Sequence, residues 1–91
     1  MDRGNTAVLI QANGGIKIAA PKNGRAFTIA EMQKLVGGYV EYLITMSGQV
    51  MVVAEEGRLM GLPENEKATL VYGRGDFVVG NVLVGDKKLF N

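Results

Sequence analysis

The chain has 91 residues, a formal net charge of +1, 47% apolar and 21% charged residues, and neither cysteine nor histidine. That length makes one domain, residues 1–91, which buries only about 60–65% of the surface its unfolded chain exposes; the apolar fraction excludes disorder. The charge lacks the basic excess of a protein held to duplex nucleic acid by phosphates, and the missing residue types exclude disulfides, familiar zinc sites, Ser–His dyads and thiol nucleophiles.

Thr6 to Ala12 reads as a strand, with the continuous apolar run Ala7-Val8-Leu9-Ile10. Asn13-Gly14 follows, a dipeptide suited to positive φ at both central turn positions. Gly15 to Ala20 then reads as a returning strand, stopped by Pro21. Residues 21–26 form a polar loop into a well-specified helix start. Thr28 and Glu31 make a capping box, and Phe27 and Met32 stand where a hydrophobic staple needs them. The helix begins at residue 29, and Gly37-Gly38 ends it. Ile29, Met32, Leu35 and Val36 share a face, so this helix is expected to pack on a sheet.

The second hairpin runs from Tyr39 to Met46, turns at Ser47-Gly48, and returns from Gln49 to Glu55. A two-residue loop sets Ile44 opposite Met51 and Tyr42 opposite Val53, with Leu43 opposite Val52 on the other face. Glu56-Gly57 is a turn. Residues 64–72 suit a second short helix behind Pro63, although Thr69, Val71 and Tyr72 also suit a strand. Gly73-Arg74-Gly75-Asp76 is a loop. Phe77 to Val84 reads as a strand broken at Gly80-Asn81, and Gly85-Asp86 turns the chain toward a last short strand, Lys87 to Phe90.

These elements define an α+β fold: a mostly antiparallel, strongly curved sheet of five to six strands, built from two hairpins plus C-terminal strands, with one or two short helices. The strands carry apolar residues on both faces, and two short helices offer little cover. The sheet therefore rolls into a half-barrel, a second subunit covers the remainder, or loops of the same chain suffice. Self-association into a homo-oligomer is the expectation.

Candidate chemistry is sparse. Ser47, the single serine, occupies a hairpin turn without a base. Glu55 and Glu56 are strand neighbours that point to opposite faces, and Asp76 and Asp86 lie in glycine-bearing turns. Gly73-Arg74-Gly75-Asp76 lacks dinucleotide-fingerprint spacing, and its Arg-Gly-Asp triplet is a chance match to an adhesion sequence. Arg58 and Arg74 have guanidinium forks suited to phosphates. Tyr39, Tyr42, Tyr72 and Phe77 offer stacking surfaces for a base, with a core or subunit-contact role as the competing explanation. No apolar run approaches the roughly 20 residues of a membrane span. Met1-Asp2-Arg3 has no signal-peptide pattern, so a cytoplasmic location is expected.

Leu35-Val36-Gly37-Gly38-Tyr39-Val40-Glu41, Glu56-Gly57-Arg58-Leu59, Gly61-Leu62-Pro63-Glu64-Asn65 with Ala68, and Val79-Gly80-Asn81-Val82-Leu83-Val84 resemble, in order and spacing, the domain of unknown function 3846 family. The N-terminal hairpin is less typical of it. The resemblance implies a phage or mobile-element origin and no established activity. Small phage proteins of this size often act against host defence, by blocking a protein or sequestering a signalling nucleotide. Gly61 to Asn65 is the segment to inspect for a site, because Asn65 offers a donor and an acceptor to a base edge; a helix-start turn explains it equally well.

The resulting expectation is a non-enzymatic binder, without a cofactor, metal, membrane or general nucleic-acid partner. It captures a small anionic ligand such as a nucleotide immune signal, in the cytoplasm of the host cell if phage-encoded. Arg58, Arg74, Asn65, Tyr72 and Tyr39 are the ligand-binding candidates. The alternative is a protein-interaction module that blocks a host protein through a sheet edge or Met-rich surface.

Overall fold

The computed structural model describes residues 5–90. Five strands, β1 (Ala7–Ile10), β2 (Ile16–Ala19), β3 (Val40–Ile44), β4 (Val50–Ala54) and β5 (Val82–Gly85), form one antiparallel sheet in the order β2-β1-β5-β4-β3. Helix α1 (Ile29–Val36) and helix α2 (Glu66–Tyr72) complete the α+β fold, with a short 3-10 helix at Lys87–Phe90. The sheet is open and only modestly curved, less than the strong curvature expected, so the half-barrel alternative is not the one taken.

The helix start is as the sequence predicts. Thr28 Oγ1 accepts from the Glu31 amide at 3.1 Å, and the Glu31 carboxylate accepts from the Thr28 amide at 2.8 Å. Phe27 and Met32 are both buried in the same apolar cluster. Gly37, at φ 85°, ends the helix in the left-handed conformation. Ile29 differs from expectation: it sits at the first helical position and stays half exposed, while Met32 and Val36 take the burial.

Both hairpins turn through three residues rather than two. Gln11 donates to Gly15 O at 2.8 Å and Thr45 to Gln49 O at 2.9 Å, which closes loops at Ala12-Asn13-Gly14 and Met46-Ser47-Gly48. Each loop ends in a glycine at positive φ, 97° for Gly14 and 90° for Gly48; Asn13 is not left-handed. The extra residue shifts the second hairpin's register by one. Tyr42 pairs with Val52, Leu43 with Met51 and Ile44 with Val50, so each β4 side chain meets a different partner from the one a two-residue turn dictates.

The third region of difference is the C-terminal half. Residues 66–72 are helix, not strand, because Asn65 caps the start and Gly73, at φ 70°, closes the end. Of the expected strand Phe77 to Val84 only Val82 to Val84 join the sheet, continued by Gly85, while Val79 makes one isolated bridge to Glu64. The positive φ of Gly80, 76°, breaks the extended run. Lys87–Phe90 coils instead of extending, which buries Leu89 and lays Phe90 on Phe27 with ring centroids 5.7 Å apart.

The central strands are sealed on both sides by their own chain. One face packs Leu9, Val52 and Leu83 under Met32, Val36, Phe27 and Leu89. The other packs Ile10, Met51, Val53 and Val82 under Ala68, Val78 and Tyr72. All five residues of β4 are buried. In the middle of the sheet, loops and helices of this chain cover both faces. The remaining exposed apolar side chains include those on the edge strands β2 and β3.

Candidate functional site

The second face is covered by residues 56–81, where Ala68, Val78 and Tyr72 pack on the sheet and polar contacts tie the segment together. Asn65 is its centre. The side chain is buried; its Nδ2 donates to Ile10 O at 3.0 Å and Gly80 O at 2.8 Å, and its Oδ1 accepts from the Ala68 amide at 3.0 Å. Both amide protons are therefore spent on main-chain carbonyls of distant segments. Thr69 extends the network, donating to Asn65 O at 2.8 Å and accepting from the Val78 amide at 2.9 Å. Pro63 O takes the Gly80 amide at 2.8 Å, and Leu62 packs so close to Gly80 that an added Cβ would stand 2.8 Å from its Cδ1. Gly57 is equally tight against Val79.

Asn65 is thus a bolt in the fold, with its side-chain amide engaged by Ile10, Gly80 and Ala68. Gly61 to Asn65 is a helix-start turn packed against residues 78–80. Arg74 is likewise engaged by the main chain. Its Nε donates to Ile44 O at 2.7 Å and its Nη2 lies 3.4 Å from Thr45 O, so the guanidinium caps the end of edge strand β3 instead of lining a cavity.

Arg58 and Tyr72 do come together. A cleft of about 310 Å³ lies on the second face, between Leu43 and Val53 of the sheet and the loops at residues 55–59 and 76–79; Arg58 and Tyr72 line it. Arg58 Nη2 donates to Asp76 Oδ1 at 3.0 Å and to Phe77 O at 2.6 Å, and the guanidinium carbon lies 4.0 Å from the centre of the Phe77 ring. This positions the charge at the rim of the cleft. Both partners of the ion pair are more than half exposed, so the pair orients the arginine more than it stabilises the fold. Among the described residues no bond is seen from Arg58 Nε or Nη1, which leaves donors for a ligand.

The remaining cleft residues carry a signal that residue-by-residue reading missed. Glu41, Glu55, Glu56 and Asp76 also line it, four carboxylates against one guanidinium. Glu55 and Glu56 were legible as neighbours, but only the fold adds Glu41 from β3 and Asp76 from the later loop. Among the described residues no three acidic side chains approach closely enough to hold a metal ion. Tyr39 stands apart from this lining, largely exposed beyond the start of β3. Among the described residues no helix is long and apolar enough to cross a membrane.

The fold and cleft define a small α+β domain whose one open sheet is covered on both faces by its own chain. The chain belongs to a family described as a domain of unknown function (DUF3846), whose model matches residues 5–88. The match takes in the N-terminal hairpin, which is part of the family domain. No curated protein and no solved structure matches the chain.

Proposed function

We propose that the protein is a non-enzymatic binder of a small, nucleobase-bearing ligand of low negative charge, held in the cleft with its ring against Tyr72 and Phe77. The observation that carries this reading is the convergence of Arg58, Tyr72 and Phe77 on one cavity of about 310 Å³, close to the lower end of small-ligand sites. Arg58 offers a single charged contact to one phosphate or carbonyl. The surrounding carboxylates repel further negative charge, so a polyphosphate is disfavoured. If the chain is phage-encoded, a host nucleotide signal in the cytoplasm is the ligand class that this chemistry and the counter-defence reading share.

Calorimetry with adenosine, cyclic AMP, cyclic dinucleotides, ADP-ribose and ATP tests the proposal. Cyclic AMP, whose single negative charge meets Arg58, binds most tightly, and affinity falls from it toward ATP as further charge accumulates. Arg58→Ala weakens the phosphate-bearing members about tenfold or more. No heat with any member, together with a ligand-free purified protein by native mass spectrometry, overturns the binding role. Tightest binding of ATP overturns the charge argument.

The second reading, a module that blocks a host protein, is favoured by exposed Leu59 on the lining of the same cleft. One stoichiometric partner recovered from host lysate and lost on Leu59→Asp, with no small ligand bound, would put it first.

A further inference from the structure

The two edges of the sheet are both apolar, but their charges differ. In β3, Thr45 donates to Gln49 O and Glu55 to Tyr39 O. The alternation of an antiparallel ladder then turns the main-chain groups of Val40, Tyr42 and Ile44 away from β4. Among the described residues no bond is seen from the outward amides of these three. Their side chains share the α1 face, where Tyr42 is 46% and Ile44 49% exposed. In β2 the Gln11 to Gly15 bond turns Ile16 and Ile18 outward, and these are 56% and 71% exposed.

We propose that the β3 edge is the contact surface of a two-fold homodimer, in which β3 pairs antiparallel with β3 of a second copy about Tyr42. The register that uses all three outward residues sets Tyr42 against its own copy and Val40 against Ile44. Every position of the row then meets an apolar partner, and the outward amides find carbonyls. The Ile44 carbonyl already accepts from Arg74 and keeps a second lone pair. On the opposite face Glu41 falls opposite Leu43. Arg74, fixed to the Ile44 and Thr45 carbonyls, lies alongside the stretch of the second copy that holds Val40 and Glu41, so the flanking charges are opposite. The same operation on β2, in the register that uses both isoleucines, sets Lys17 against Lys17. Like charges directly opposed make that edge the self-avoiding one. Pairing at β3 leaves the second copy's sheet continuous with the first.

The test is sedimentation of the whole chain from low micromolar to millimolar concentration, with amide exchange read by NMR. The mass doubles with concentration, and exchange of the Tyr42 amide slows about tenfold or more in the dimer. Tyr42→Lys remains monomeric while Ile18→Lys dimerises as the wild type does. If Tyr42→Lys fails to fold, Ile44→Lys takes its place. A single-copy mass at every concentration overturns the proposal. So does a dimer whose Tyr42 amide exchanges as fast as the monomer's, or one abolished by Ile18→Lys and not by the β3 variants.

Discussion

Against the α1 side of the sheet the cover is apolar: Met32, Val36, Phe27, Leu89 and Phe90 press on Leu9, Val52 and Leu83. On the α2 side the helix buries only Ala68, with Val78 and part of Tyr72 beside it, and Asn65 and Arg74 tie the cover to the main-chain carbonyls of Ile10 and Ile44. The difference teaches where a small domain leaves room for a ligand. Side chains that seal by packing fill the space beneath them. A segment fastened at a few polar points stands off the sheet between them, and here it leaves the cleft at Arg58 and Tyr72.

The comparison predicts different failures on the two sides. Met32→Ala removes a fully buried side chain from the packed side and costs about 2–5 kcal/mol of global stability, measured by urea unfolding. Its effect spreads through the whole domain, since that core holds both helix and sheet. Asn65→Ala costs about 3 kcal/mol by stranding buried carbonyls and an amide. Its signature is regional: amide exchange rises first in residues 62–81 while α1 keeps its protection. Equal loosening on both sides after Asn65→Ala would break the comparison.

The smallest effect is a pH dependence confined to the α1 entrance. Main-chain amides of Thr28 and then Lys22 hydrogen-bond the Glu31 carboxylate and hold its pKa below the ordinary value. Depression in the folded state means the contribution is present above the unfolded pKa, about 4.3. It is lost as pH falls through the lower folded value. Glu31→Gln therefore flattens the acid limb of stability below about pH 4 and leaves the neutral plateau nearly flat. An unchanged acid limb in urea midpoints measured against pH would contradict this.

How much of this was legible follows contact range. The capping box of α1 is read from four consecutive residues, and the structure keeps it. The helix at 66–72 was legible as one of two options, and the Asn65 cap decides it. Hairpin register was not legible, because Ser-Gly and Asn-Gly serve two-residue and three-residue turns alike; only the pairing partners tell them apart. Which candidate side chains share a cleft was not legible: Arg58 and Tyr72 line one together, whereas Asn65 reaches Ile10 across 55 positions and Arg74 reaches Ile44 across 30. No local pattern announces that such polar groups are already spoken for. The acidic lining of the cleft has the same cause, since Glu41 and Asp76 meet only through the fold.

The most direct measurement is an amide-resolved NMR titration of the isotope-labelled protein with adenosine monophosphate. The account predicts saturable shifts confined to residues around Leu43, Glu55 to Leu59 and Tyr72 to Val79, and loss of them in Arg58→Ala. Saturable shifts centred on Tyr39 or Asn65, or none around Arg58 at any concentration, would contradict it.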